Sequence, residues 1–254
     1  SSTKDTVARD FIARESGPGF LALVNNGVPI PMLVDPQDHK GVLRAFENLK
    51  KDFIQVTGHG PDQQKNGRSN IIIGTYGNSS LIDSLMHKGL LDSSALAGKR
   101  EKFIMTVVNK PLWGIDSALV IAGSDKRGTI YGIYELSALI GVSPWYYWAD
   151  VPIRKATALY AKPGLYTQGE PKVNYRGIFL NDEAPALSGW SKATFGGFNA
   201  DFYEKVFELL LRLKANYLWP AMWGSAFYDD DPKNGPLADE MGIIMGTSHH
   251  EPMA

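Results

Sequence analysis

The strongest constraint on the fold is a pattern repeated three times near the C-terminal end. Three apolar runs each end in a burst of polar and aromatic residues: YRGIFLNDE at 175–183, NYLWPAMW at 216–223 and GIIMGTSHHE at 242–251. A helical segment separates the first run from the second, and a shorter loop-and-helix segment separates the second from the third. Strands joined through helices lie parallel, and runs reading Ile-Phe-Leu and Ile-Ile-Met need apolar cover on both faces. This rhythm opens a (β/α) barrel, whose active site sits at the C-terminal strand ends. A complete barrel takes about 250 residues, but only about 80 follow Lys172. The expectation is a portion of a longer protein, holding three strands' share of a site.

The rest of the 254 residues precedes this pattern and reads as a separate α/β domain. Phe20–Val24 and Val28–Val34 flank Asn25-Asn26-Gly27, a hairpin signal. Pro29 and Pro31 push the second strand toward an edge. A helix is expected over 38–51, with Asp38 as N-cap and Lys50 and Lys51 in the last turn. Strands are expected at 53–56, 70–73, 103–109 and 118–122, and helices at 80–87 and 128–140. Gly141 fits the position just past the last helix. Residues 143–170 lack a helical period and read as an extended connector with short strands. Its aromatic cluster, Trp145 to Trp148, reads either as inter-domain packing or as one wall of a cleft. In the second part Asn199 caps a helix whose Phe202, Val206, Leu209, Leu210 and Leu213 share one face. A short helix over 236–241 closes at Gly242. The expected architecture is α/β: a domain with a mixed sheet over 1–170, then the first three βα units of a (β/α)8 TIM barrel over 171–254.

Composition narrows the function classes. With 26 basic and 27 acidic side chains, the charge gives no reason to expect nucleic acid or an anionic membrane as partner. There is no cysteine, so disulfides, thiolate zinc ligands and thiol nucleophiles are excluded. No apolar run approaches the roughly 18 residues of a membrane span, and residues 1–10 lack the apolar core of a signal peptide. Aromatics reach 11%, a share that sugar-handling proteins use for stacking.

The chemistry gathers at the strand ends. Asp182 and Glu183 follow the first strand directly, where carboxylates serve as general acid, base or hydroxyl ligand, or simply cap the loop. Trp219 and Trp223 flank the second strand end and either stack on a pyranose or fill the barrel rim. His249, His250 and Glu251 end the third. Adjacent histidines on a strand point to opposite sides, so a shared metal is disfavoured and hydrogen bonding to sugar hydroxyls or a carboxylate is favoured. No metal or other cofactor is expected. Asp229, Asp230 and Asp231 lack calcium-loop spacing and read as solvated turn residues. The glycine-rich stretch from Gly74 to Ser80 lacks both the P-loop and the dinucleotide signatures. The turn from Asp125 to Gly128 reads as a capped turn, with weak anion-binding potential. No Gly-x-Ser-x-Gly elbow supports acyl hydrolysis.

At these residues a family becomes visible. RGIFLNDEAPALSGW at 176–190, FGGFN at 195–199, NYLWPAMW at 216–223 and MGTSHHEPM at 245–253 resemble blocks of glycoside hydrolase family 115, the xylan α-1,2-glucuronidases. IIIG at 71–74 and AGSDKRGTIYGIYEL at 122–136 resemble the α/β domain preceding that family's barrel, a domain shared with hexosaminidases and other α-glucuronidases. The resemblance implies an enzyme that removes glucuronic acid or 4-O-methyl-glucuronic acid from xylan with inversion, acting on glucuronoxylan or its oligosaccharides. Inversion needs an acid and a base about 6.5–9.5 Å apart. Family members are much longer than this chain, so at least one of the pair is expected beyond Ala254 and the isolated chain is expected to be inactive. Carried over by position, Asp182 and Glu183 are the catalytic candidates, and Asn181, Trp223, His249, His250 and Glu251 the substrate-binding ones. The resemblance also implies a secreted or periplasmic protein, and leaves room for a homodimer formed through regions outside this chain. Two rivals stand beside it: a non-catalytic carbohydrate-binding protein, and a metal-dependent hydrolase using His249 and Glu251.

Overall fold

The computed structural model describes residues 10–63, 68–179, 199–219 and 232–246. The chain divides into two compact units, Ser1–Pro171 and Lys172–Ala254.

The first unit is α/β, with two sheets. One is antiparallel, in the order β1 (Ile12–Ala13), β8 (Leu159–Ala161), β2 (Leu21–Asn25), β3 (Val28–Pro29). The other is mixed, in the order β4 (Met32–Val34), β5 (Ser69–Thr75), β7 (Ser117–Gly123), β6 (Phe103–Asn109), β9 (Leu165–Gln168). Strands β4, β5 and β7 run parallel, while β6 is antiparallel to both β7 and β9.

The hairpin between β2 and β3 turns at Asn26 and Gly27, with φ of 49° and 76°, the paired positive values of a type I′ turn. The strand expected over 28–34 is instead two strands in different sheets, interrupted after Pro29. Each lies at the edge of its sheet, where a residue without an N–H removes no ladder bond.

Helix α1 runs Lys40–Thr57, which corrects the strand expected over 53–56. Val42, Ala45, Phe46, Leu49, Phe53 and Val56 are all buried at helical spacing, so Phe53 and Val56 extend the stripe rather than start a strand. The helix stops at Gly58, left-handed at φ 80°. Lys50 therefore sits mid-helix, paired with Glu47 at 3.1 Å, and not in the last turn. Asp38 does not cap either; His39 holds the N-cap position, with no side-chain bond.

Both faces of the mixed sheet are covered, which explains its unbroken apolar strands. Helix α2 (Ser80–His87) packs on β5, and its Ile82 and Leu85 join Ile72, Ile104, Val120 and Ala122 in one core cluster. Helix α3 (Lys126–Ile140) packs across β5, β6 and β7 and against α1. Gly132 admits this contact: a Cβ there would lie 2.7 Å from Ile121 and 3.1 Å from Phe103. Asp125 caps α3 by accepting from Gly128 N–H at 2.7 Å, and Gly141 ends it at φ 117°. No helix among the described residues is long and apolar enough to cross a membrane.

The second unit holds a three-stranded parallel sheet, β10 (Gly177–Phe179), β11 (Tyr217–Trp219) and β12 (Ile244–Met245), in that order. Helix α4 (Ala200–Arg212) connects the first pair and α5 (Asn234–Met241) the second. Asn199 caps α4, accepting from Phe202 N–H at 3.1 Å. Gly242, at φ 91°, ends α5. Within α4, Glu208 and Arg212 form a buried ion pair at 3.5 Å.

Candidate functional site

The three strands whose ends carry the candidate chemistry are held side by side. Ile178 pairs with Leu218 and Phe179 with Trp219, while Leu218 pairs with Met245. All three strands point the same way, so their C-terminal ends share one edge of the sheet.

A clasp at the opposite edge sets this register. Asn216, almost wholly buried, accepts from Arg176 N–H at 2.8 Å and donates to the Asn174 carbonyl at 2.6 Å. Arg176 in turn donates from Nε to the Lys214 carbonyl at 2.9 Å and from Nη1 to the Val173 carbonyl at 2.7 Å. Main-chain bonds continue across the sheet, Tyr217 N–H to Arg176 O at 2.9 Å and Ile244 N–H to Asn216 O at 2.7 Å. Neither Arg176 nor Asn216 was singled out from sequence, where each only opens an apolar run. An Asn one residue before a strand is the signal that could have pointed to Asn216.

The two faces of β11 differ. Leu218 is fully buried, while Tyr217 is half-buried and Trp219 is 38% exposed. Tyr175, Tyr217 and Trp219 form a row of edge-on rings, at 5.6 Å and 4.4 Å between centroids. Two glycines allow the close packing beneath it. A Cβ on Gly177 would meet the Tyr217 carbonyl, and one on Gly246 the Tyr217 hydroxyl. On β11, then, one side is buried at Leu218 and the other presents aromatic rings.

The candidates Asn181, Asp182, Glu183, Trp223, His249, His250 and Glu251 lie outside the described residues, as do Asp229, Asp230 and Asp231. What the structure supplies is the platform that ends just before them: β10 stops at Phe179, β11 at Trp219 and β12 at Met245.

Two glycine-rich turns in the first unit already have N–H groups bound to carboxylates. Asp35 takes the Ser80 N–H at 2.8 Å and the Ser80 hydroxyl at 2.7 Å, and Asp125 takes the N–H groups of Gly128 and Glu101. These carboxylates occupy N–H donors that an anion would use. In the aromatic connector, Tyr147 and Trp148 meet edge-on at 5.4 Å, and Trp145 is 43% exposed.

Residues 168–254 match the family model of glycosyl hydrolase family 115. A solved family 115 structure, the 4-O-methyl-α-glucuronidase BtGH115A with specificity for decorated arabinogalactans, aligns with 36% identity over 92% of this chain, at a TM-score of 0.78. The chain belongs to glycoside hydrolase family 115. It spans 30% of that relative's length. The family 115 match includes β10, β11 and β12 and every candidate site residue. More distant likenesses are a Streptomyces plicatus β-hexosaminidase and a Vibrio harveyi exo-β-N-acetylglucosaminidase. The first is 12% identical over 82% of this chain and 32% of its own, at a TM-score of 0.45. The second is 10% identical over 93% of this chain and 34% of its own, at a TM-score of 0.48. Neither bears on function. No curated protein matches the chain.

Proposed function

We propose that the protein containing this chain is a glycoside hydrolase that releases glucuronic acid or 4-O-methyl-glucuronic acid from a decorated polysaccharide, with xylan as the substrate and inversion at the anomeric carbon. The observation that carries the reading is the parallel register of β10, β11 and β12. Each strand is followed directly by a polar or aromatic burst of a family 115 block. In the proposed arrangement these strands open a (β/α)8 barrel that begins near residue 171 and whose site lies at their C-terminal ends. Asp182 and Glu183 position or activate water, or protonate the leaving oxygen. Asn181, His249, His250 and Glu251 hydrogen-bond hydroxyls or the uronate, and Trp223 stacks on the ring. A polymeric substrate too large to cross a membrane places the enzyme in the periplasm or outside the cell.

The test is proton NMR of glucuronoxylan hydrolysis by the full-length enzyme. The α-linked uronic acid is expected to appear first as its β-anomer, with Asp182→Asn and Glu183→Gln lowering release at least about 100-fold, the low end of general acid–base contributions. First appearance of the α-anomer would overturn inversion, and undiminished release by both variants would overturn their catalytic role. Loss of activity with a chelator would favour a metal-dependent hydrolase using His249 and Glu251.

A further inference from the structure

The first unit carries a groove of about 590 Å³ lined by Arg14, Thr57, Gly58, Lys155 and Thr157, with apolar residues between them. Its volume falls in the range of about 300–1,000 Å³ usual for small-ligand sites. Among the described residues no carboxylate lines it. Arg154 adds a third cation beside Arg14, and none of the three forms an ion pair among the described residues.

Two of the three side chains are held by hydrogen bonds. Arg14 follows β1, which is paired with β8, and its Nη1 donates to the Lys155 carbonyl at 3.1 Å. Lys155 Nζ donates to the Gln55 carbonyl near the end of α1. Ala156 N–H binds the Val56 carbonyl at 3.0 Å, fixing the segment to the helix end. Arg154 N–H binds the Gly141 carbonyl at 3.2 Å, and a Cβ on Gly141 would come within 3.0 Å of the Arg154 carbonyl. These contacts fix the main chain at Arg154. Partial burial, and then the positive charge of Arg154, lower the pKa of the Arg14 guanidinium from its ordinary value. Crowding like charges this way opposes folding, and an oxyanion in the groove relieves it. Arg14 spends one of the five N–H donors of a guanidinium on the Lys155 carbonyl, and the fork geometry suits a carboxylate.

We infer that this groove binds the carboxylate of a uronic-acid-bearing glycan through Arg14 and Lys155, with the charge of Arg154 nearby. The choice of a uronate among oxyanions rests on the proposed function; the presence of an oxyanion site rests on the groove and the cations in and beside it. The site is built from the first unit only. It would let the protein hold acidic side groups of the polymer besides the one being cleaved.

The experiment is hydrogen exchange read by mass spectrometry on the full-length protein, with sodium glucuronate, glucose and inorganic phosphate as separate probes. Glucuronate is expected to slow exchange in peptides covering 54–58 and 154–158, and glucose is not. Arg14→Gln should weaken the glucuronate effect about tenfold, the worth of one charge-assisted hydrogen bond. Arg14→Lys, which keeps the charge and serves if the Gln variant fails to fold, should retain part of it. No slowing by saturating glucuronate, or equal slowing by glucose or by phosphate, would overturn the assignment. Uronic acid release from glucuronoxylan is measured on the same sample. Release without protection of these peptides removes the groove site and leaves the hydrolase reading. Protection without release does the reverse.

Discussion

The side chain of Asn216 bridges two adjacent strands of the second unit, accepting from the Arg176 N–H at 2.8 Å while donating to the Asn174 carbonyl at 2.6 Å. One amide thus satisfies a donor and an acceptor on the neighbouring chain segment and sets how β10 and β11 lie beside each other.

Replacing Asn216 with Ala removes both bonds at a buried position. The expected cost is about 1–3 kcal/mol, the penalty for leaving buried polar groups unpaired. Urea unfolding of the full-length protein would read it, alongside uronic acid release, which is expected to fall because the strand ends shift. A variant with unchanged stability and activity would show that main-chain pairing alone sets the register.

Glu208 and Arg212, one helical turn apart, are both buried, with a contact of 3.5 Å. Removing one partner breaks the pair at a buried position, where such losses cost about 3–5 kcal/mol. Glu208→Ala and Arg212→Ala should each destabilise this unit strongly, whereas Glu208→Leu/Arg212→Leu should recover most of the loss. A double-mutant cycle by thermal unfolding checks this, and additive single effects would contradict it.

Gly123 ends β7 where α3 begins to pack. A Cβ there would lie 2.2 Å from the Thr129 nitrogen and 2.5 Å from its Cα, main-chain atoms that no rotamer change can move. Gly123→Ala should therefore destabilise the first unit by at least about 3 kcal/mol, the upper end of ordinary overpacking. Gly77→Ala strains only its own left-handed backbone, since no atom lies near its Cβ position, and is expected to cost less. Circular dichroism melts of the two variants would rank them.

Asp35 and Asp38 respond to pH in opposite directions. Asp35 accepts N–H bonds from Gln37 and Ser80 and a hydroxyl bond from Ser80, which hold its carboxyl below the usual range. Its stabilisation is present above the unfolded value of about 3.9 and is lost as pH falls through its own lower one. Burial raises Asp38, outweighing the N–H groups of Thr75 and His39. Its contribution is present below about pH 3.9 and is lost as pH rises through the raised value. Asp35→Asn should therefore lose stability against the parent near neutrality, with the gap closing in acid. Asp38→Asn should gain on the parent as pH rises. Denaturant midpoints across the acid-to-neutral range test both, and matching profiles for the two variants would refute the contrast.

The sequence was legible where local chemistry acts alone. The Asn-Gly turn, the caps at Asp125 and Asn199 and the stops at Gly141 and Gly242 stand as read, because each depends on a few adjacent residues. It misled where two periods overlap. Phe53–Val56 is a short apolar run that fits a strand, yet it continues the stripe of α1, and contact with α3 favours the helix. Asp38 has the chemistry of a cap, but the Thr75 N–H arrives from β5, 37 residues away, and claims its carboxylate.

For the candidate site, the sequence by itself determined the order of strands and helices, the polar bursts that follow each strand and membership of family 115. Such patterns survive in a linear string because strand and helix periods are local. Only the tertiary structure decided the register of β10 against β11, the aromatic row from Tyr175 to Trp219, and the cation groove from Arg14 to Lys155. These depend on segments 40 to 141 residues apart meeting through individual hydrogen bonds, which no local period encodes.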